Sequence, residues 1–230
     1  MSPGQRILHL SPYITEMPKS EEKNPTIRFL AHLVSLIFHP LLISSYVIAF
    51  LLYIHPFIFS GLGKELKLYR FISVLLSSFF LPIFSIFLCW RLGFVQSMRL
   101  KTARERIIPY VIVMVFYFWL WYVYRNQGDN PPESVAFLLG SFLAVCGAWF
   151  CNIFFKISMH AIAAGGLAMF FLLFSFRDPY ASGLYLSAAI LAGGMICTAR
   201  MLISDHRPAD IYAGVLVGLA AEWIGWLFTI

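Results

Sequence analysis

The sequence predicts an all-α fold, a polytopic transmembrane helical bundle of six to seven spans. Hydrophobic residues make up 60% of the chain and charged ones only 12%, a balance outside the range of soluble globular domains. The apolar residues fall into runs of about 20, the length an α-helix needs to cross a hydrocarbon core of roughly 30 Å. The charged residues collect between those runs, because an ionised side chain inside a bilayer is costly.

Seven runs qualify: residues 27–59, 71–90, 107–124, 134–155, 157–176, 183–203 and 209–228. The first is too long for one upright span and contains His39-Pro40, where the missing amide and the ring of proline break or kink a helix. It is therefore expected as an interfacial piece followed by a crossing from about Pro40. The second follows a polar stretch, residues 60–70, expected as a loop. The third ends in an aromatic cluster, Phe116 to Tyr122, of the kind that marks a membrane interface. Asn130-Pro131-Pro132 opens the fourth and a short turn around Lys156 to His160 opens the fifth. The sixth and seventh flank the polar segment Arg200 to Asp210, where Pro208 suits a first helical turn. Gly165-Gly166 and Gly193-Gly194 are expected where helices pack closely.

Residues 27–230 thus read as one transmembrane domain. Residues 1–26 form a mostly polar N-terminal tail with four prolines. The tail lacks the apolar core and small-residue cleavage site of a signal peptide. All four cysteines fall inside apolar runs with no Cys-x-x-Cys pair, so they read as buried thiols. No Gly-rich nucleotide loop and no zinc or iron-sulfur spacing is present. The net charge of +6 sits in the connections, where anionic headgroups and topology account for it better than nucleic acid does.

Threading the spans in order assigns each connection to a side. The N-terminal side receives residues 91–106, the turn at 156–160 and the segment 200–210. The opposite side receives residues 60–70, 125–133 and 177–179. Three polar islands therefore meet on one face: Arg99-Leu-Lys101-Thr-Ala-Arg104-Glu-Arg106, then Ser158-Met159-His160, then Arg200 to Asp210. His32, His39 and His55 read as interfacial side chains. Glu222 lies 12 residues beyond Asp210 (222 minus 210), ~18 Å deeper at ~1.5 Å rise per residue, and so is too far to join them.

These islands resemble the three motifs of the type 2 phosphatidic acid phosphatases, membrane lipid phosphatases with Lys-x6-Arg-Pro, Pro-Ser-Gly-His and Ser-Arg-x5-His-x3-Asp. The third is matched as Arg200-x5-His206-x3-Asp210, with Ala199 for the leading serine, and the likeness continues through Pro208, Ile211, Ala213, Gly214 and Gly218. The second keeps Ser158 and His160 but has Ile157 and Met159 for proline and glycine. In the first, Arg99 or Lys101 stands for the lysine, Arg106 for the arginine, and the proline arrives late at Pro109. The resemblance covers residues 99–218.

The resemblance implies a phosphatase-like core in which His206 is the nucleophile, Asp210 holds its imidazole, and His160 is the general acid and then base. Arg200, Arg106, Arg99 or Lys101, and Ser158 would bind the substrate phosphate. Elementary chemistry agrees with those residue types. Phosphoryl transfer spreads charge over equatorial oxygens, so fixed positive charge and positioning do most of the work, and the guanidinium fork fits phosphate oxygens in pairs. A carboxylate four residues after a histidine shares its helix face. The scheme runs through a phosphohistidine and needs no metal and no other cofactor.

The implied substrate is a lipid phosphate monoester or diphosphate, such as phosphatidic acid, phosphatidylglycerol phosphate, undecaprenyl diphosphate or a lipid A phosphate. Membrane lipids are the expected partners, nucleic acid is not, and oligomeric state is left open. The altered second motif also fits a catalytically inactive relative that binds lipid or assists membrane assembly, since Met159 removes the close backbone approach that glycine gives. Most of the 17 Lys and Arg fall on the N-terminal side, which the positive-inside tendency would place in the cytoplasm. Discounting the arginines reserved for chemistry weakens that bias, so orientation stays open. A multi-pass protein of a cell membrane, the bacterial inner membrane by the family's habit, is expected.

Overall fold

A computed structural model describes residues 24–94, 105–178, 180, 183–203 and 207–230. The fold is all-helical, with 82% helix and no strand among the described residues. The helices are α1 (Pro25–Ile37), α2 (Pro40–Ala49), α3 (Lys64–Leu75), α4 (Leu81–Arg91), α5 (Ile107–Asn126), α6 (Pro132–Cys151), α7 (Met159–Arg177), α8 (Gly183–Ile203) and α9 (Pro208–Leu227). A π-helical turn, Phe50–Ile54, extends α2, and another, Leu76–Phe80, joins α3 to α4. Six of the resulting helices are long and apolar enough to cross a membrane: Lys64–Arg91 as one rod of 28 residues, then α5 to α9 singly. This is a multi-pass membrane protein.

The first apolar run divides as its proline dictates. α1 stops at Ile37, His39 caps α2 with its own side chain, and Pro40 takes the first helical position, where its missing amide costs no hydrogen bond. The two pieces are bent by 58°. α1 packs on α8, while α2 enters the bundle against α3, α6 and α7.

Two boundaries differ from expectation. Residues 64–70 are helical rather than loop, because lysine, glutamate and leucine are good helix formers and Arg70 is anchored to Asp129 and Asn130. α6 ends at Cys151, not at residue 155, so Asn152 becomes its C-cap. At the other end of the rod, Gly93 takes φ +83° while Phe94 N–H donates to Cys89 O and Gly93 N–H to Trp90 O. This left-handed cap stops the helix. The four cysteines are half-buried on α4, α6 and α8 rather than enclosed in the core.

The bundle centres on α7 and α9, which pack more extensively than any other pair. Their contact is backbone against backbone. A Cβ at Gly218 would lie 2.0 Å from the Ile162 carbonyl oxygen and one at Gly165 2.2 Å from that of Val215, while across α9 and α6 one at Gly225 would lie 2.4 Å from Gly140 N. Gly193 touches Ala164 at ordinary distance, whereas Gly194 meets nothing within 4 Å. Gly194 lines the groove between α1 and α8, so only the first glycine of that pair serves close packing. A Gly218→Val substitution should therefore destabilise the bundle by about 1–3 kcal/mol. Gly194→Ala should leave the melting temperature in detergent unchanged, and equal losses from both would refute the packing assignment.

The opposite-side residues gather at one end of the bundle. Arg177 Nε donates to Glu133 Oε1 at 3.1 Å, Arg70 pairs with Asp129, and His55 pairs with the Asp178 carboxylate. His55, expected at the interface, is only 4% exposed. The carboxylate beyond α7 supplies the partner that makes its burial tolerable.

Candidate functional site

At the N-terminal side the ends of four helices converge on a cleft of about 420 Å³, with Arg106, His160, Arg200 and His39 in its wall. Each polar side chain is placed by a local rule. His39 sits in the break before Pro40. Arg106 precedes the first turn of α5, and His160 lies in the first turn of α7. Arg200 is in the last turn of α8, where a cation complements the helix dipole. Pro40, Leu41, Ile86, Pro109, Tyr110, Val113, Ile157 and Met159 complete the wall, making a largely apolar mouth around four basic groups.

Two contacts orient the basic groups. His160 Nε2 lies 3.1 Å from the Ser35 carbonyl oxygen of α1. A carbonyl only accepts, so Nε2 carries the hydrogen and Nδ1 is the basic nitrogen of the neutral ring. Arg106 Nη1 donates to Asn152 Oδ1 at 3.5 Å, and Asn152 is 4% exposed. The early end of α6 puts this amide beside Arg106, a relation that an uninterrupted span through residue 155 hides. The His39 and His160 rings meet edge to face, with centroids 5.9 Å apart and planes at 76°.

The structure thus brings together Arg106, His160 and Arg200 from three separate islands. Ser158 does not line the cleft. It is fully buried, and its Oγ caps α7 by accepting from Ala161 N–H at 3.5 Å. Asp210 stands in the first turn of α9, where Oδ2 accepts from Arg207 N–H at 2.9 Å. Pro208 begins that helix as expected. His206, Arg99 and Lys101 lie outside the described residues. His39, expected at the interface, is half-buried in the cleft wall. Its sequence signal was available, since a histidine just before proline at a helix start lies on the N-terminal side with the other islands.

Glu222 belongs to a different space. It is 1% exposed, and its carboxyl packs against Gly140. It lines a cavity of about 50 Å³ together with Ser44, Tyr117 and Ser141, large enough for water by the usual requirement of roughly 10–15 Å³ per molecule. Pro40, Leu41 and Met159 are common to this cavity and the cleft above it. Among the described residues no three His, Cys, Asp or Glu side chains are grouped to hold a metal ion.

Two guanidinium groups and two imidazoles around an apolar mouth favour an anion over a cation, because fixed positive charge in a poorly hydrated site acts at low effective dielectric. The apolar wall suits an anion that carries a hydrocarbon chain. No family model, curated protein or solved structure matches the chain.

Proposed function

We propose that the chain is an integral membrane lipid phosphatase with a type 2 phosphatidic acid phosphatase-like core, hydrolysing a lipid phosphate monoester or diphosphate. The observation that carries this reading is the convergence of Arg106, His160 and Arg200 on one cleft from three separate helices. The Arg200-x5-His206-x3-Asp210 spacing supports it from the sequence.

On this reading the phosphate sits between the guanidinium groups of Arg106 and Arg200, with Arg99 or Lys101 completing the cradle. His206, oriented by Asp210, attacks the terminal phosphorus, and its bond to the departing oxygen breaks, that oxygen belonging to the lipid alkoxide in a monoester and to the lipid monophosphate in a diphosphate. His160 gives the departing oxygen its proton from Nδ1, while Nε2–H stays on the Ser35 carbonyl and keeps the ring in place. Water then attacks the phosphohistidine, His160 takes its proton, and inorganic phosphate leaves. The lipid chain lies along the apolar wall. With short connections at this end of the bundle, a polyprenyl diphosphate or a simple lipid phosphate fits better than a substrate with a large headgroup.

A lipid-binding protein without turnover is the second reading, favoured by Met159 in the cleft wall, where the resembled motif has glycine. Purified protein in detergent distinguishes the two. With a chelator present it should release inorganic phosphate from at least one of phosphatidic acid, phosphatidylglycerol phosphate, undecaprenyl diphosphate and a lipid A phosphate. Strict dependence on added divalent metal would overturn the histidine mechanism, and no release from any of them would favour the binding protein.

A further inference from the structure

We propose that His39, outside all three motif islands, is a phosphate-binding residue of the cleft, its Nε2–H donating to a terminal phosphate oxygen. This rests on the reading of the cleft as a phosphate site but not on turnover. Three observations carry it. The His39 ring lines the same cleft as Arg106, His160 and Arg200. It stands edge to face with the His160 ring at 5.9 Å. Its Nδ1 accepts the Leu41 N–H at 3.3 Å, capping α2.

The cap decides the chemistry. A neutral imidazole has one N–H and one acceptor nitrogen, and a doubly protonated ring has no acceptor. With Nδ1 accepting from Leu41, the hydrogen is on Nε2, so His39 offers the cleft a donor and no base. Protonation at Nδ1 would cost α2 its cap, which ties the neutral form to the intact helix start. His39 is therefore matched to an oxyanion that needs a hydrogen bond, whereas His160, with Nε2–H on a carbonyl and Nδ1 basic, is matched to proton exchange. Both adjoining imidazoles are held as the Nε2–H tautomer, but the Leu41 amide occupies the acceptor nitrogen of one and the Ser35 carbonyl the donor of the other, so they offer the cleft opposite hydrogen-bonding roles.

Asparagine and glutamine separate the two nitrogens. His39→Asn keeps a good N-cap and loses the donor at the Nε2 position. His39→Gln reaches that position with an amide N–H and loses the cap. Full-length protein in detergent is titrated with inorganic phosphate, and the rise in melting temperature is recorded. The same variants are assayed with phosphatidic acid in mixed micelles, with diacylglycerol as the phosphate-free control. We expect His39→Asn to melt as wild type without ligand but to bind phosphate and phosphatidic acid roughly 10–100-fold more weakly, the range for one hydrogen bond to a charged group. His39→Gln should melt lower yet keep most of the affinity.

Affinity of His39→Asn equal to wild type for whichever ligand the wild type binds, or losses in both variants that merely follow melting temperature, would overturn the proposal, as would a wild type that neither phosphate nor phosphatidic acid stabilises. A response to phosphatidic acid alone assigns the donor to the lipid headgroup, and a response to both assigns it to any terminal phosphate. Because the melting arm needs no turnover, an inactive wild type that still binds phosphate through His39 would sink the hydrolase and leave this assignment standing.

Discussion

Turnover should fall by roughly 10⁴-fold or more in a His206→Ala variant, as when a catalytic nucleophile is removed, and by roughly 10²–10⁴-fold in His160→Ala, as when a general acid is lost. Both variants should still insert and elute as single species in detergent. The two losses differ in kind, which makes the pair informative. On the proposed mechanism no covalent intermediate should form without His206, so label from the substrate phosphate should never stay on the protein. Without His160 attack should still occur, but the departing oxygen would lack its proton and water would lack a base in the second step. Single-turnover measurements with labelled lipid phosphate read the two steps apart, and the label should be lost in acid and kept in base, as phosphohistidine requires. His206→Ala within tenfold of wild type would end the mechanism. His160→Ala also removes the contact to the Ser35 carbonyl that ties α7 to α1, so its melting temperature belongs beside its rate.

What the sequence could and could not convey follows from the range of each interaction. Spans were legible because length and hydropathy are local properties that the bilayer thickness reads directly; four of the seven expected runs coincide closely with α5, α7, α8 and α9. The start of α3 was not, since Lys64 to Arg70 look like a loop by polarity and only the distant partners Asp129 and Asn130 show why they are helical. The π-helical turns at Phe50–Ile54 and Leu76–Phe80 carry no compositional mark.

The site divides in the same way. Arg106, His160 and Arg200 could be placed on one side by counting crossings, and the cleft contains all three. Their second partners could not be read, because the Ser35 carbonyl and the Asn152 amide come from α1 and the end of α6, whose positions depend on a kink angle and on where a helix stops. His39 was legible in place but not in role. Its Nδ1 commitment to Leu41 is a matter of ring orientation, whereas residue type alone makes an interfacial histidine the commoner outcome. His55 shows the limit plainly, since nothing near it in sequence announces Asp178.

Arg200 gives the second large effect and the cleanest separation of chemistry from topology. An arginine at the end of a span is ordinarily an anchor at the headgroup level, and the last turn of α8 is where a cation is stabilised by the helix dipole in any case. If anchoring were its whole purpose, lysine would serve equally, keeping the charge and most of the apolar stem. A cleft built for phosphate asks for more, because the guanidinium presents paired donors in a fixed plane and the ammonium is a compact, strongly hydrated point charge. Arg200→Ala should therefore cost roughly 10²–10³ in kcat, the range for removing one fixed charge-stabilising group. Arg200→Lys should recover its melting temperature but little of its rate, staying about tenfold or more below wild type in kcat/KM. Lysine restoring full activity would return Arg200 to the role of a membrane anchor and leave the cleft without the fork on which phosphate selectivity depends.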